Sequence, residues 1–176
     1  MTFRRLWAAI AVVVTALAVV AVAGYALHSA RVPVERAAAT VFAVGDCVAI
    51  PSSPPDTLRA TKVPCGVDPS YTVGATTDGS GACPSAEYQQ LPAQFADPST
   101  ARLCLVPNLV ADHCYLLNMP VGTLERADCS DRGRGVLVQV TRRLDSRDQH
   151  ACPFGRGHFA WPYPSPPRTY CTLTLY

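Results

Sequence analysis

Eight cysteines, Cys47, Cys65, Cys83, Cys104, Cys114, Cys129, Cys152 and Cys171, are the residues of this 176-residue chain best suited to chemistry. Their number is even and no two form a Cys-x-x-Cys pair. The pattern predicts disulfides made in an oxidising compartment rather than a thiol-redox centre. Zinc fits poorly, because His113-Cys114 and His150-x-Cys152 lack the spacing of a structural zinc site, and His28 and His158 stand apart. No metal and no cofactor is expected. Ser80, within Asp78-Gly79-Ser80-Gly81, lacks the leading glycine of a nucleophile elbow and reads as a turn. The glycines between 74 and 81 precede no Lys-Ser/Thr, so they form no phosphate loop. Asp46, Asp112 and Asp128 beside cysteines, with Asp145 and Asp148, are the acids a small hydrolase would have to use; solvated ion pairs are the simpler reading. Phe154, Phe159, Trp161, Tyr163 and Tyr170, interleaved with prolines, are of the type that lines sugar- or protein-binding surfaces. The alternative is that these rings cover the second half of the chain where a helix is missing. With no catalytic motif, the chain is expected not to be an enzyme.

The elements that hold these residues repeat. The cysteines fall into two rows of four that span equal lengths, because Cys114 follows Cys47 at the same interval as Cys171 follows Cys104. Gly45-Asp46-Cys47-Val48 faces Asp112-His113-Cys114-Tyr115, Val63-Pro64-Cys65 faces Ala127-Asp128-Cys129, and Ala82-Cys83-Pro84 faces Ala151-Cys152-Pro153. The spacing therefore predicts an α+β, β-rich fold of two tandem disulfide-stapled modules, 41–108 and 109–176, each built strand-strand-strand-helix/turn-strand. Strands are expected near 41–50, 58–65, 70–77 and 101–107, then near 112–118, 123–129, 135–144 and 168–175. Pro84 to Phe95 reads as a helix, with Pro92 ending or distorting it, whereas Trp161 to Pro167 reads as an ordered loop or polyproline-like run. Bridges confined to a module and alike in both leave three connectivities open. The shortest loops join Cys47 to Cys65, Cys83 to Cys104, Cys114 to Cys129 and Cys152 to Cys171.

Composition limits the partners. The chain is 49% apolar and 16% charged, with 15 basic and 13 acidic residues. That leaves no basic surplus for a phosphate backbone, so nucleic acid is excluded as a partner. Leu6 to Leu27 carries no charge, and 22 residues of helix reach about 33 Å, enough to cross a bilayer. Residues 1–5 then form a cytoplasmic stub, 6–27 a transmembrane helix and 28–40 a spacer. Ala21-Val22-Ala23 offers a signal-cleavage pattern, but the length of the run favours an uncleaved anchor. The flanking arginines nearly balance, so the cysteines set the orientation, placing the carboxy-terminal part outside a single-pass cell-membrane protein.

The motifs Gly-Asp-Cys-Val at 45–48, Val-Pro-Cys at 63–65, Tyr-Thr-Val at 71–73, Ala-Cys-Pro at 82–84 and Arg-Leu-Cys-Leu-Val-Pro-Asn at 102–108, closing with Arg-Thr-Tyr-Cys at 168–171, carry a further likeness. This pattern resembles the LppU-like lipoproteins and the related septum-formation domain, small exported cysteine-rich proteins of high-GC Gram-positive bacteria. The resemblance spans about residues 44–171 and implies a membrane-tethered envelope module with no established enzymatic activity. The chain departs from the lipoprotein members in having no cysteine at the end of its apolar run, which favours the membrane helix over lipidation. The expected function is a non-catalytic extracytoplasmic module binding a cell-envelope protein or wall component. A small envelope hydrolase using acidic residues, or a purely structural envelope protein, is the alternative.

Overall fold

β-branched and aromatic residues crowd the segments Ser70–Thr76 and Val136–Leu144 and favour extended backbone. Each becomes an interior strand of an antiparallel sheet. The first sheet has four strands, β1 (Cys47–Ala49), β2 (Thr61–Lys62), β3 (Ser70–Thr76) and β4 (Leu103–Asn108), in the order β2-β1-β3-β4. The second has five, β5 (Cys114–Asn118), β6 (Thr123–Ala127), β7 (Val136–Leu144), β8 (His158–Pro164) and β9 (Pro167–Leu175), ordered β6-β5-β7-β9-β8. The computed structural model describes residues 41–51, 57–78, 81–119, 121–131 and 135–176, all within one compact unit. The apolar run 6–27, the spacer 28–40, His28 and Ser80 lie outside the described residues. Among the described residues no helix is long and apolar enough to cross a membrane.

The two sheets share one register. Cys47 pairs with Thr72 and Cys114 with Gln139; Val73 pairs with Leu105 and Val140 with Thr172; Ala75 pairs with Cys104 and Arg142 with Cys171. Every second pair is displaced along the chain by the interval that separates Cys47 from Cys114, and the bulge before Ala75 recurs before Arg142. The β1–β2 pair Val48 with Lys62 becomes Tyr115 with Arg126, so β6 follows β2 at the slightly shorter interval that separates Cys65 from Cys129. Loop lengths change between the copies while the ladder pairing of their central strands is kept.

Four disulfides staple the sheets, Cys47–Cys65, Cys83–Cys104, Cys114–Cys129 and Cys152–Cys171, closing loops of 18, 21, 15 and 19 residues. Loops of that size each contribute about 3 kcal/mol by restricting the unfolded chain. One continuous core joins the two sheets, with Val48, Tyr71, Val73 and Leu105 from the first and Tyr115, Leu124, Val138, Val140 and Tyr170 from the second.

The α component of the expected fold is corrected: among the described residues the helical content is one 3-10 turn, Gln149–Ala151. Pro84 to Phe95 forms turns rather than a helix. Its backbone is bound across the fold instead, as Gln89 exchanges both main-chain hydrogen bonds with Leu105 at 3.0 and 2.8 Å, and the Gln90 side chain spans Cys83 N–H and Ala101 O. The Trp161 to Pro167 run is likewise a hairpin, not a polyproline loop. Gly157 O accepts from Thr174 N–H, so by two-residue alternation 159, 161 and 163 bond to β9 while Pro162 and Pro164 face the free edge. There a missing N–H costs no ladder bond and blocks strand addition. β8 thus fills the slot that Gln89 fills with a single bridge, since Phe159 pairs with Thr172, the counterpart of Leu105.

Candidate functional site

Trp161 and Tyr163 project from β8 on the face shared with Tyr170 of β9. They form one wall of a groove of about 440 Å³ at the junction of the two sheets. Pro107 of β4, Leu117 of β5, Leu124 of β6 and the Tyr88 ring supply the remaining apolar surface. Both sheets therefore contribute, and neither alone would make the groove.

Hydrogen bonds tie together the segments that line it. Tyr71 reaches across from the first sheet and its hydroxyl accepts from Leu124 N–H at 2.9 Å; burial pushes that phenol up to about 12. Gln89 donates its side-chain amide to Gly122 O, tying the Tyr88 segment to the β5–β6 turn. Tyr163 packs edge-on against Tyr170 with ring centres 6.2 Å apart, and burial raises the Tyr163 phenol well above its ordinary value. Gly74 carries the closest approach: a Cβ there would collide with Ser165 O and lie 2.5 Å from the Tyr88 ring. Glycine is required where the β8–β9 turn lies on β3.

Beside the groove lies a polar pocket of about 350 Å³ that shares Glu87 and Pro162 with it. Arg147 binds Glu87 at 2.7 Å, and Asp148 caps the 3-10 turn through His150 N–H at 2.9 Å. The site is thus an apolar trough with a charged shelf at one end.

Of the five rings singled out by sequence, the groove brings together two, Trp161 and Tyr163. Phe159 is 54% and Phe154 84% exposed, and neither lines the groove. Tyr170 belongs to the core: its hydroxyl donates to Pro107 O at 2.7 Å and accepts from Leu109 N–H at 3.0 Å, fastening β9 to the end of β4. Tyr88, Pro107, Leu117 and Leu124 carried no sequence signal, because only the docking of the two sheets makes them neighbours.

The acids serve local geometry. Asp46 accepts from Ala43 N–H at 2.7 Å and pairs with Lys62 at 2.7 Å, contacts that hold its carboxyl below the usual range. Asp128 accepts from both Ser130 N–H and its hydroxyl, which lowers its carboxyl likewise. Asp145 pairs with Arg143 at 3.2 Å, and Asp112 occupies a left-handed turn at φ 63°. Among the described residues no cluster of three His, Cys, Asp or Glu side chains is arranged to hold a metal ion.

One polar constellation is assembled only by the fold. Asp68 accepts from the Tyr115 hydroxyl at 2.5 Å, meets His113 Nδ1 at 2.7 Å and lies 3.6 Å from Arg126 Nε. Burial, then the hydrogen bond to Asp68, raises the Tyr115 phenol. The cluster ties the loop before β3 to β5 and β6. No family model, no curated protein and no solved structure matches the chain.

Proposed function

We propose that this chain is a membrane-anchored, extracytoplasmic, non-catalytic module that binds a cell-envelope protein or wall component through the groove under Trp161. The observation that carries the reading is the groove itself, an apolar trough assembled from both sheets, with Trp161 and Tyr163 on one wall. A half-buried indole on a rigid wall loses little entropy on contact, which is the property of binding hot spots. Four disulfides support an oxidising compartment, and the uncharged run 6–27 supports the anchor.

The hydrolase alternative would centre on Asp68 and His113, because the carboxylate orients the ring through Nδ1 as an acid orients a catalytic base. Neither residue lines the groove or the polar pocket beside it, so binding is the reading the geometry favours. The test compares Trp161→Ala with Phe154→Ala in the intact anchored protein. Trp161→Ala should reduce recovery of the bound envelope component with little change in thermal unfolding, and Phe154→Ala should reduce neither. Equal recovery from both variants would remove the groove from the function.

A further inference from the structure

Cys65 is the one exposed residue among the eight cysteines, while its bridge partner Cys47 is 4% exposed. Around Cys47 Sγ stand Asn108 Nδ2 at 3.6 Å and Thr72 Oγ1 at 3.7 Å. Asn108 Oδ1 in turn accepts from Thr72 at 2.8 Å and from Arg168 Nη1 at 2.5 Å. Arg168 is buried, its Nη1 bonds are to the neutral oxygens of Pro107, Asn108 and Tyr170, and its Nε has no partner among the described residues. Among the described residues no carboxylate pairs with Arg168, and its positive group polarises the amide that faces the buried sulfur. By contrast, Cys152 and Cys171 are both buried.

We propose that the Cys47–Cys65 bridge is a thiol-exchange site, opened by a low-molecular-weight thiol that becomes disulfide-linked to Cys65. The entering thiolate forms a bond to Cys65 Sγ, the Cys65–Cys47 bond breaks, and its electron pair stays on Cys47 Sγ. The entering thiol is oxidised to the mixed disulfide and Cys47 is reduced. Exchange is fastest when the attacked sulfur is accessible and the leaving thiolate is stabilised. Asn108 donates to that thiolate, and Thr72 can turn its proton to it. Opening also releases the covalent tie on the loop that carries Asp68, and with it the contacts to His113, Tyr115 and Arg126.

The experiment exposes the full chain in detergent to limiting glutathione, quenches with acid, alkylates free thiols and maps the peptides. The expected first product carries glutathione on Cys65 and the alkyl group on Cys47, with Cys152–Cys171 intact. Asn108→Ala should slow this opening by roughly tenfold, the scale of a lost hydrogen bond to an anion. Where Asn108→Ala fails to fold, Thr72→Val carries the same comparison with Cys152–Cys171 as the folding control. Another bridge opening first, glutathione on Cys47, or an unchanged rate in the folded variant would overturn the assignment.

Discussion

Asp112 stands at φ 63° in the place that Gly45, at φ 94°, holds in the first copy. Both donate their N–H to the carbonyl of an equivalent central-strand residue, Gly45 to Val73 O at 2.8 Å and Asp112 to Val140 O at 2.7 Å. Each copy thus enters its first strand through the same left-handed turn, once with glycine and once with aspartate. A Cβ costs about 1–2 kcal/mol in that conformation, less for Asp than for a branched residue. Gly45→Val should therefore lower stability by about that amount, and Asp112→Val by less because Asp112 already carries a Cβ, read from thermal unfolding.

Gly74→Ala should be costlier than an ordinary glycine substitution in a strand, because the added methyl meets Ser165 O and the Tyr88 ring. Overpacking of this kind costs about 1–3 kcal/mol. The same methyl displaces Tyr88 from the groove wall, so Trp161 emission should shift together with the unfolding midpoint.

Tyr170→Phe retains the ring and removes a hydroxyl that satisfies Leu109 N–H and Pro107 O. Leaving that buried N–H unpaired should cost about 1–3 kcal/mol in denaturant unfolding. Trp161→Ala, by contrast, should cost less than Tyr170→Ala, since Trp161 faces the open groove and Tyr170 is fully buried.

Alkaline pH should unfold the protein through its tyrosines. Tyr71 titrates near 10.0 when unfolded and near 12 when folded, so the stability it contributes is full below pH 10 and is lost as pH rises through 12. Burial raises Tyr115 and Tyr163 in the same direction. Tyrosinate absorbance should therefore rise in step with loss of structure.

The strands could be read from sequence because β-branched runs and paired cysteines mark them locally. Val136 to Val140 and Ser70 to Val73 lie where that pattern puts them. The helix reading of Pro84 to Phe95 failed for a tertiary reason: Gln89 bonds to Leu105 and Gln90 to the backbone of 83 and 101, so the segment needs no internal ladder. Pro162 and Pro164 misled in the opposite direction, since only the pleat shows that they face a free edge. Trp161 could be picked out as an aromatic among prolines. Its groove partners Leu117 and Leu124, and the tie from Asp68 to His113, arise only when two similar sheets dock.

The most direct measurement places a photo-reactive amino acid at position 161 of the anchored protein in living cells, with position 154 as an exposed control. A covalent adduct to an envelope protein or wall glycan is expected from position 161 and none from 154. No adduct at 161, or the same adduct from both positions, would contradict it.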